Sequence, residues 1–228
     1  MKNRILTAFI LSASISFASP VNSMLGADGN EIDFEEGIVP IEYLESTGTQ
    51  YILLPCNIPT SPNTAPAISI DYKFPYNAPN GLFGCFYGSR GYHLIYTSAR
   101  RTKLIDFGNL GDCQKTNGFD DRHILTFVPS LGLIDEDNDP KFYGFNDLNQ
   151  SSQWFCLFGR YNTSTGLVES KPRNAKIYSF KMMDSTGEEL IYDLIPVRIG
   201  DEGFMYDRIS GELFGNEGTG SFVLGPDL

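Results

Sequence analysis

Ile68-Ser69-Ile70-Asp71-Tyr72-Lys73-Phe74 alternates without a break, with large apolar side chains at 68, 70, 72 and 74 and small or charged ones at 69, 71 and 73. Successive side chains of an extended chain point to opposite faces, so this period of two calls for a strand with one buried and one solvated face. Working outward, the same reading places strands at residues 50–54, 82–87, 92–96, 123–128, 154–158, 175–182, 189–195 and 221–224. Turn signals separate them at Pro79-Asn80-Gly81, Asn117-Gly118, Ser185-Thr186-Gly187, Ser210-Gly211 and residues 216–220. With 23 Gly, 13 Pro, 17 Phe and 12 Tyr in 228 residues and no amphipathic helix in sight, a helical bundle is excluded. So many short strands overfill one open sheet, and the expected fold is an all-β, two-sheet antiparallel β-sandwich. Residues 55–66 hold four prolines, too many for a central strand, and are expected as a surface connection at one end of the sandwich.

Lys2 and Arg4 precede an uncharged, mostly apolar run over residues 5–17, followed by small residues. That order of charge, apolar stretch and small residues is a secretory signal, with cleavage expected after Ala18 or alternatively after Ser23. The run is too short to span a bilayer, and no later stretch approaches 18 apolar residues, so no membrane insertion is expected after cleavage and the product is expected to be secreted, extracellular or periplasmic. Residues 19–39, rich in Asp, Glu and Gly, read as an acidic flexible arm, and residues 40–226 as the folded domain. A formal net charge of −11 leaves no basic surface for phosphates, which argues against nucleic acid as a partner. Cys56, Cys85, Cys113 and Cys156 are widely spaced, without a Cys-x-x-Cys pair; two disulfides and buried free thiols both stay open.

Several segments carry a resemblance. Ile41-Glu42-Tyr43-Leu44-Glu45-Ser46-Thr47-Gly48-Thr49-Gln50-Tyr51-Ile52, Leu157-Phe158-Gly159-Arg160, Lys176-Ile177-Tyr178-Ser179-Phe180-Lys181, Asp193-Leu194-Ile195-Pro196-Val197-Arg198, Met205-Tyr206-Asp207 and Asn216-Glu217-Gly218-Thr219-Gly220 follow one another in order. Together they resemble a laminin-G-like, concanavalin A-like jelly-roll lectin domain of bacterial and phage-associated surface proteins, over roughly residues 40–226. The resemblance implies a fold and an extracellular setting rather than a reaction. Residue chemistry gives most of these positions structural work: Gly48, Gly211 and Gly220 fit turns of positive φ, Asp207 fits a cap on turn amides, and Tyr206, Phe214 and Phe222 fit the core where the last strand returns to the first.

Glucanases of the wider jelly-roll superfamily carry Glu-x-Asp-x-Glu, which sets paired carboxylates on one strand face; that motif is absent, as is Gly-x-Ser-x-Gly. Only two His are present, and His93 and His123 read as ordinary histidines rather than catalytic ones. Asp135, Asp137 and Asp139, at i, i+2 and i+4, have a spacing that could offer oxygens to Ca²⁺, although an EF-hand would need Gly and Glu where Pro140 and Asn146 stand, and a solvated acidic turn is the better explanation. Sugar recognition needs aromatic faces beside Asn, Arg or backbone groups. Residues 86–92, 141–147 and 160–163 supply that mixture, which nominates Arg90, Tyr143, Asn146, Arg160 and Tyr161 as ligand-binding residues, with Trp154 behind them. The function expected is a non-enzymatic binding module for a glycan or a surface protein. The alternatives are a structural subunit of a surface assembly and, third, a divergent glycoside hydrolase.

Overall fold

The computed structural model describes residues 34, 36–75, 81–97, 102–108, 114–115 and 121–228. In chain order, among these, the strands are β1 (Ile38–Pro40), β2 (Leu44–Thr47), β3 (Ile52–Ile58), β4 (Ala67–Lys73), β5 (Gly81–Tyr87), β6 (Arg90–Thr97), β7 (Thr102–Phe107), β8 (Gln114–Lys115), β9 (Arg122–Val128) and β10 (Leu133–Glu136). They continue with β11 (Asp139–Phe142), β12 (Ser152–Leu157), β13 (Arg160–Asn162), β14 (Leu167–Glu169), β15 (Arg173–Met183), β16 (Leu190–Ile199), β17 (Glu202–Asp207), β18 (Leu213–Phe214) and β19 (Val223–Leu224). The larger sheet runs β11-β10-β9-β4-β15-β16-β17-β18, with β2 on β15, β19 on β2 and β1 on β16. The smaller runs β14-β13-β5-β6-β7-β8, with β12 beside β5 and β3 beside β12. Every pairing among the described residues is antiparallel except β13 with β5, and the fold is an all-β sandwich.

The alternating segment at residues 68–74 forms most of β4, set between β9 and β15 in the larger sheet. Its Ile68, Ile70 and Tyr72 are fully buried. Across the interior stand Phe83, Tyr92, Phe107 and Phe155 of the smaller sheet. Tyr92 is the hub: its ring lies 5.2 Å from Phe107, 5.1 Å from Phe127 and 5.4 Å from Phe155, and its hydroxyl donates to the Pro66 carbonyl at 2.7 Å. Each side chain of this kind taken out of water contributes about 1.5–3 kcal/mol, so the aromatic layer is what holds the two sheets together.

Three expectations change in detail. Residues 38–40 belong to the fold, not to a free arm: the apolar pair Ile38-Val39 lets β1 add to β16, Ile38 opposite Ile199 and Pro40 opposite Val197. Residues 55–58 continue β3 instead of starting a surface connection. That strand pairs with β12 alone, and an edge strand tolerates the missing N–H of Pro55. The acidic turn at 135–139 is a tight hairpin joining β10 to β11, with Asp137 and Asn138 both at positive φ (57° and 63°), the conformation a two-residue hairpin turn requires. Cys56, Cys85 and Cys156 are free thiols. The expected leader, most of residues 19–39 and Cys113 lie outside the described residues. Among the described residues no helix is long and apolar enough to cross a membrane.

Candidate functional site

Polar side chains gather in three places, and the first is spoken for by the fold. Gln50 Oε1 accepts from the Thr47 N–H at 2.8 Å, and Gln50 Nε2 donates to the Thr219 carbonyl at 3.0 Å. Asn216 Oδ1 accepts from the N–H groups of Tyr51 and Gly218 while its Nδ2 donates to the Gly220 carbonyl. Gly218 is needed because the Thr49 carbonyl oxygen lies 2.0 Å from where a Cβ would stand. The segments 46–51 and 216–220 therefore lock together and carry β19 back onto β2. Nearby, Asp207 accepts from the N–H groups of Ile209 and Ser210, and Arg208 Nη2 meets Asp193 Oδ2 at 2.6 Å, both side chains buried. Gly48, Gly211 and Gly220 all sit at positive φ. A surface cleft of 360 Å³ opens beside this lock, lined by Glu202, Phe204, Asn216, Ser221 and Phe222 among others. Its one amide side chain, Asn216, is already committed to the turn.

The second gathering lies at the tip of the β5–β6 hairpin. Tyr87 pairs with Arg90 across a two-residue turn in which Gly88 takes φ 58°. Arg90 Nη1 donates to the Asp147 carbonyl at 2.9 Å, tying the hairpin to residues 143–148. Gly108, whose N–H donates to the Gly91 carbonyl at 3.0 Å, touches the Asn146 carbonyl oxygen so closely that a Cβ there would lie 1.8 Å from it. Three nominated residues, Arg90, Tyr143 and Asn146, are thus brought to one end of the sandwich. Asn146 and Asp147 are exposed, as is Tyr87. Tyr143 is half-buried against the core, 6.4 Å from the Phe145 ring.

The third lies further along β5 and β6, on the face of the smaller sheet turned away from the core, opposite to the side on which Tyr87 and Arg90 pair. His93 alternates with the core residues Tyr92 and Leu94, and Asp106 with Ile105 and Phe107, so both point outward, yet both are buried. Arg160 and Tyr161 are neighbours on β13 and therefore separate. Tyr161 packs against the core, whereas the Arg160 guanidinium stacks over the Phe86 ring at 4.3 Å. Glycines make the room: a Cβ on Gly81 would lie 2.4 Å from Arg160 Cγ, and one on Gly91 would lie 2.0 Å from His93 Nδ1. Arg160 Nη2 donates to Ser170 Oγ at 3.1 Å, but Arg160 Nε and His93 Nδ1 are buried without a partner. Burial pulls the Arg160 guanidinium below the usual arginine range, with Glu169 opposing the shift in part. Burial, and then the Arg160 charge, hold the His93 imidazole well below its usual value.

Trp154, 37% exposed, sits opposite Pro55 where β12 pairs with β3. Asp135, Asp137 and Asp139 do not converge. Asp137 takes the Ile124 N–H at 2.9 Å and stands 2.6 Å from His123 Nδ1, and Asp139 pairs with Lys141. Among the described residues no group of three or more His, Cys, Asp or Glu is arranged to hold a metal ion, so the donor set does not fit Ca²⁺. Sequence reasoning read His93 as an ordinary histidine and passed over Asp106, although an outward His between two core residues, beside Gly84 and Gly91, was the available signal. It also passed over the buried bond from the Tyr72 hydroxyl to Glu136. Searches of protein-family models and of curated proteins find no match to this chain.

Proposed function

We propose that the chain is a non-enzymatic extracellular binding module that recognises a glycan through the tip of the β5–β6 hairpin and the neighbouring loop at residues 143–147. The observation that carries this reading is the bond from Arg90 to the Asp147 carbonyl, which holds Tyr87, Arg90 and Asn146 at one surface. An exposed aromatic face beside a guanidinium and a primary amide is the mixture that stacks on a pyranose ring and bonds its hydroxyls. The resemblance to laminin-G-like lectin domains and the secretory signal agree with an extracellular role.

The test is a glycan array probed with the protein and with an Arg90→Ala, Asn146→Ala double variant. Binding by the parent that the double variant loses, at unchanged thermal stability, supports the reading; failure of the parent to bind any sugar overturns it. A second reading, a subunit of a surface assembly, is favoured by β17. Its Glu202-Gly203-Phe204 half pairs with β16, while β18 covers Met205 and Tyr206 alone, which leaves a strand edge for a partner chain to extend.

A further inference from the structure

The larger sheet turns two different surfaces to the outside. On β4 and β15 the side chains that alternate with the core are polar or charged: Ser69, Asp71 and Lys73 on one strand, Lys176 and Lys181 on the other. On β16, β17 and β18 they are apolar. Leu194 and Met205 belong to the core between the sheets, so alternation sends Ile195, Val197, Phe204 and Tyr206 outward. The register agrees, with Tyr206 standing opposite Ile195 on one side and opposite Leu213 on the other, and Phe204 opposite Val197. Residues directly opposite each other share a face. An outward face of this kind is normally solvated, yet Ile195 is 7% exposed and Val197 not at all. Both stand apart from the apolar clusters of the interior, so they are covered from the outside.

Phe34 points to the cover. Its ring lies 5.5 Å from that of Tyr206. Ile38 pairs with Ile199, whereas Tyr206 is level with Ile195, four residues away along β16. The chain from Phe34 to Ile38 therefore doubles back over the sheet, and Gly37, at φ 95°, sits in the reversal. Residues that precede Phe34 thus start from above the apolar face, and their sequence suits it. In Ile32-Asp33-Phe34 two large apolar side chains flank an acid, so an extended chain turns Ile32 to the same side as Phe34 and Asp33 to water. Extended, residues 24–33 reach about 33 Å, while β16 to β18 is only about 10 Å across, so the length is ample. Cleavage after Ala18 or after Ser23 leaves this segment on the mature chain in either case.

We propose that residues 24–33 form a strap that crosses the outer face of β16, β17 and β18 of their own chain, with Ile32 beside Phe34 against the apolar side chains. A second copy is disfavoured as the cover, because a formal net charge of −11 on each copy opposes their approach, whereas the strap is joined to the face through Phe34. This surface is separate from the glycan reading above, whose hairpin tip belongs to the smaller sheet.

The experiment digests the mature chain with a glutamate-specific protease and follows cleavage after Glu31 by mass spectrometry, beside thermal unfolding, binding of a dye that reports apolar surface, and light scattering. Ile32→Asp and Tyr206→Ala are each expected to speed that cleavage by about tenfold, since protection reports how tightly a segment is held. Ile32→Asp is also expected to raise the dye signal, and Ile32→Leu, which keeps the apolar contact, is expected to match the parent in both. Should Tyr206→Ala unfold outright, Ile32→Asp, which alters neither sheet, decides. Cleavage after Glu31 as fast in the parent as in Ile32→Asp overturns the proposal, and so does protection that Ile32→Asp leaves unchanged. A parent dimer that Leu213→Asp makes monomeric, with Glu31 open to the protease in both, assigns the face to a second copy and overturns the strap.

Discussion

The interlocked turns that carry β19 back to β2 and the outer face of the smaller sheet are both built from polar side chains pressed against glycines, yet they treat hydrogen bonding in opposite ways. In the turns, Gln50, Asn216 and Asp207 spend their acceptors and donors on backbone groups of the same region. On the outer face, Arg160 Nε and His93 Nδ1 are withdrawn from water and given nothing in return. Buried polar groups normally find partners, since an unmade bond costs about 1–3 kcal/mol; Asp193 Oδ1, in the pair with Arg208, lacks one as well, so an orphaned atom marks a local cost to the fold rather than by itself a ligand site.

The contrast is sharpened most by Asp193→Ala. It strands the Arg208 charge in a buried setting, and the expected loss is about 3–5 kcal/mol in chemical denaturation. Replacing both partners, as Asp193→Ala with Arg208→Met, is expected to recover part of that loss. A recovery of nothing would mean that the pair positions the β17–β18 connection through more than its charges. Asn216→Ala comes next. It removes the acceptor of Tyr51 and Gly218 N–H and the donor to Gly220, with an expected cost of about 1–3 kcal/mol and a lower denaturant midpoint. Loss of glycan binding in Asn216→Ala at unchanged stability would break the comparison, because it would move a ligand contact into the interlocked turns.

Much of this architecture was written in the period-two pattern. The strand at 68–74, the run at 175–182 and the return of residues 221–224 to the first strands follow from alternation and from turn residues, which are local. β7, β17 and the hairpin of β10 and β11 were not read as strands, because Asp106, Gly203 and the acidic run at 135–139 break the alternation that marks an exposed-face strand. The candidate site was legible in part. Arg90, Tyr143 and Asn146 share loops whose composition is visible, but their meeting depends on Arg90 reaching across 57 positions to Asp147. Pairing Arg160 with Tyr161 ran against the alternation used everywhere else, since adjacent residues of a strand face opposite ways. The burial of His93 was not legible for a different reason: burial on an outward face is a tertiary fact, and a single histidine carries no local signature of it.

The smallest expected effect concerns that histidine and acid. An imidazole titrates near 6.5 when free, and that of His93 is held well below this by burial and by the Arg160 charge. In the window between the two values the unfolded chain binds a proton that the folded protein refuses, so stability falls as pH drops below about 6.5. The fall stops where the folded protein also accepts the proton, so the window opens downward from about 6.5. Asp184 and Asp227, whose carboxyls are held below the usual range by Thr186 and Arg198, add their losses only at more acid pH. Unfolding temperatures measured between pH 7 and pH 5 are therefore expected to decline for the parent chain and to decline less for His93→Gln, which cannot take up the proton. Parallel declines would mean that His93 accepts its proton in the folded state. The outer face would then resemble the interlocked turns, with its polar groups answered by solvent, and the contrast between the two regions would close.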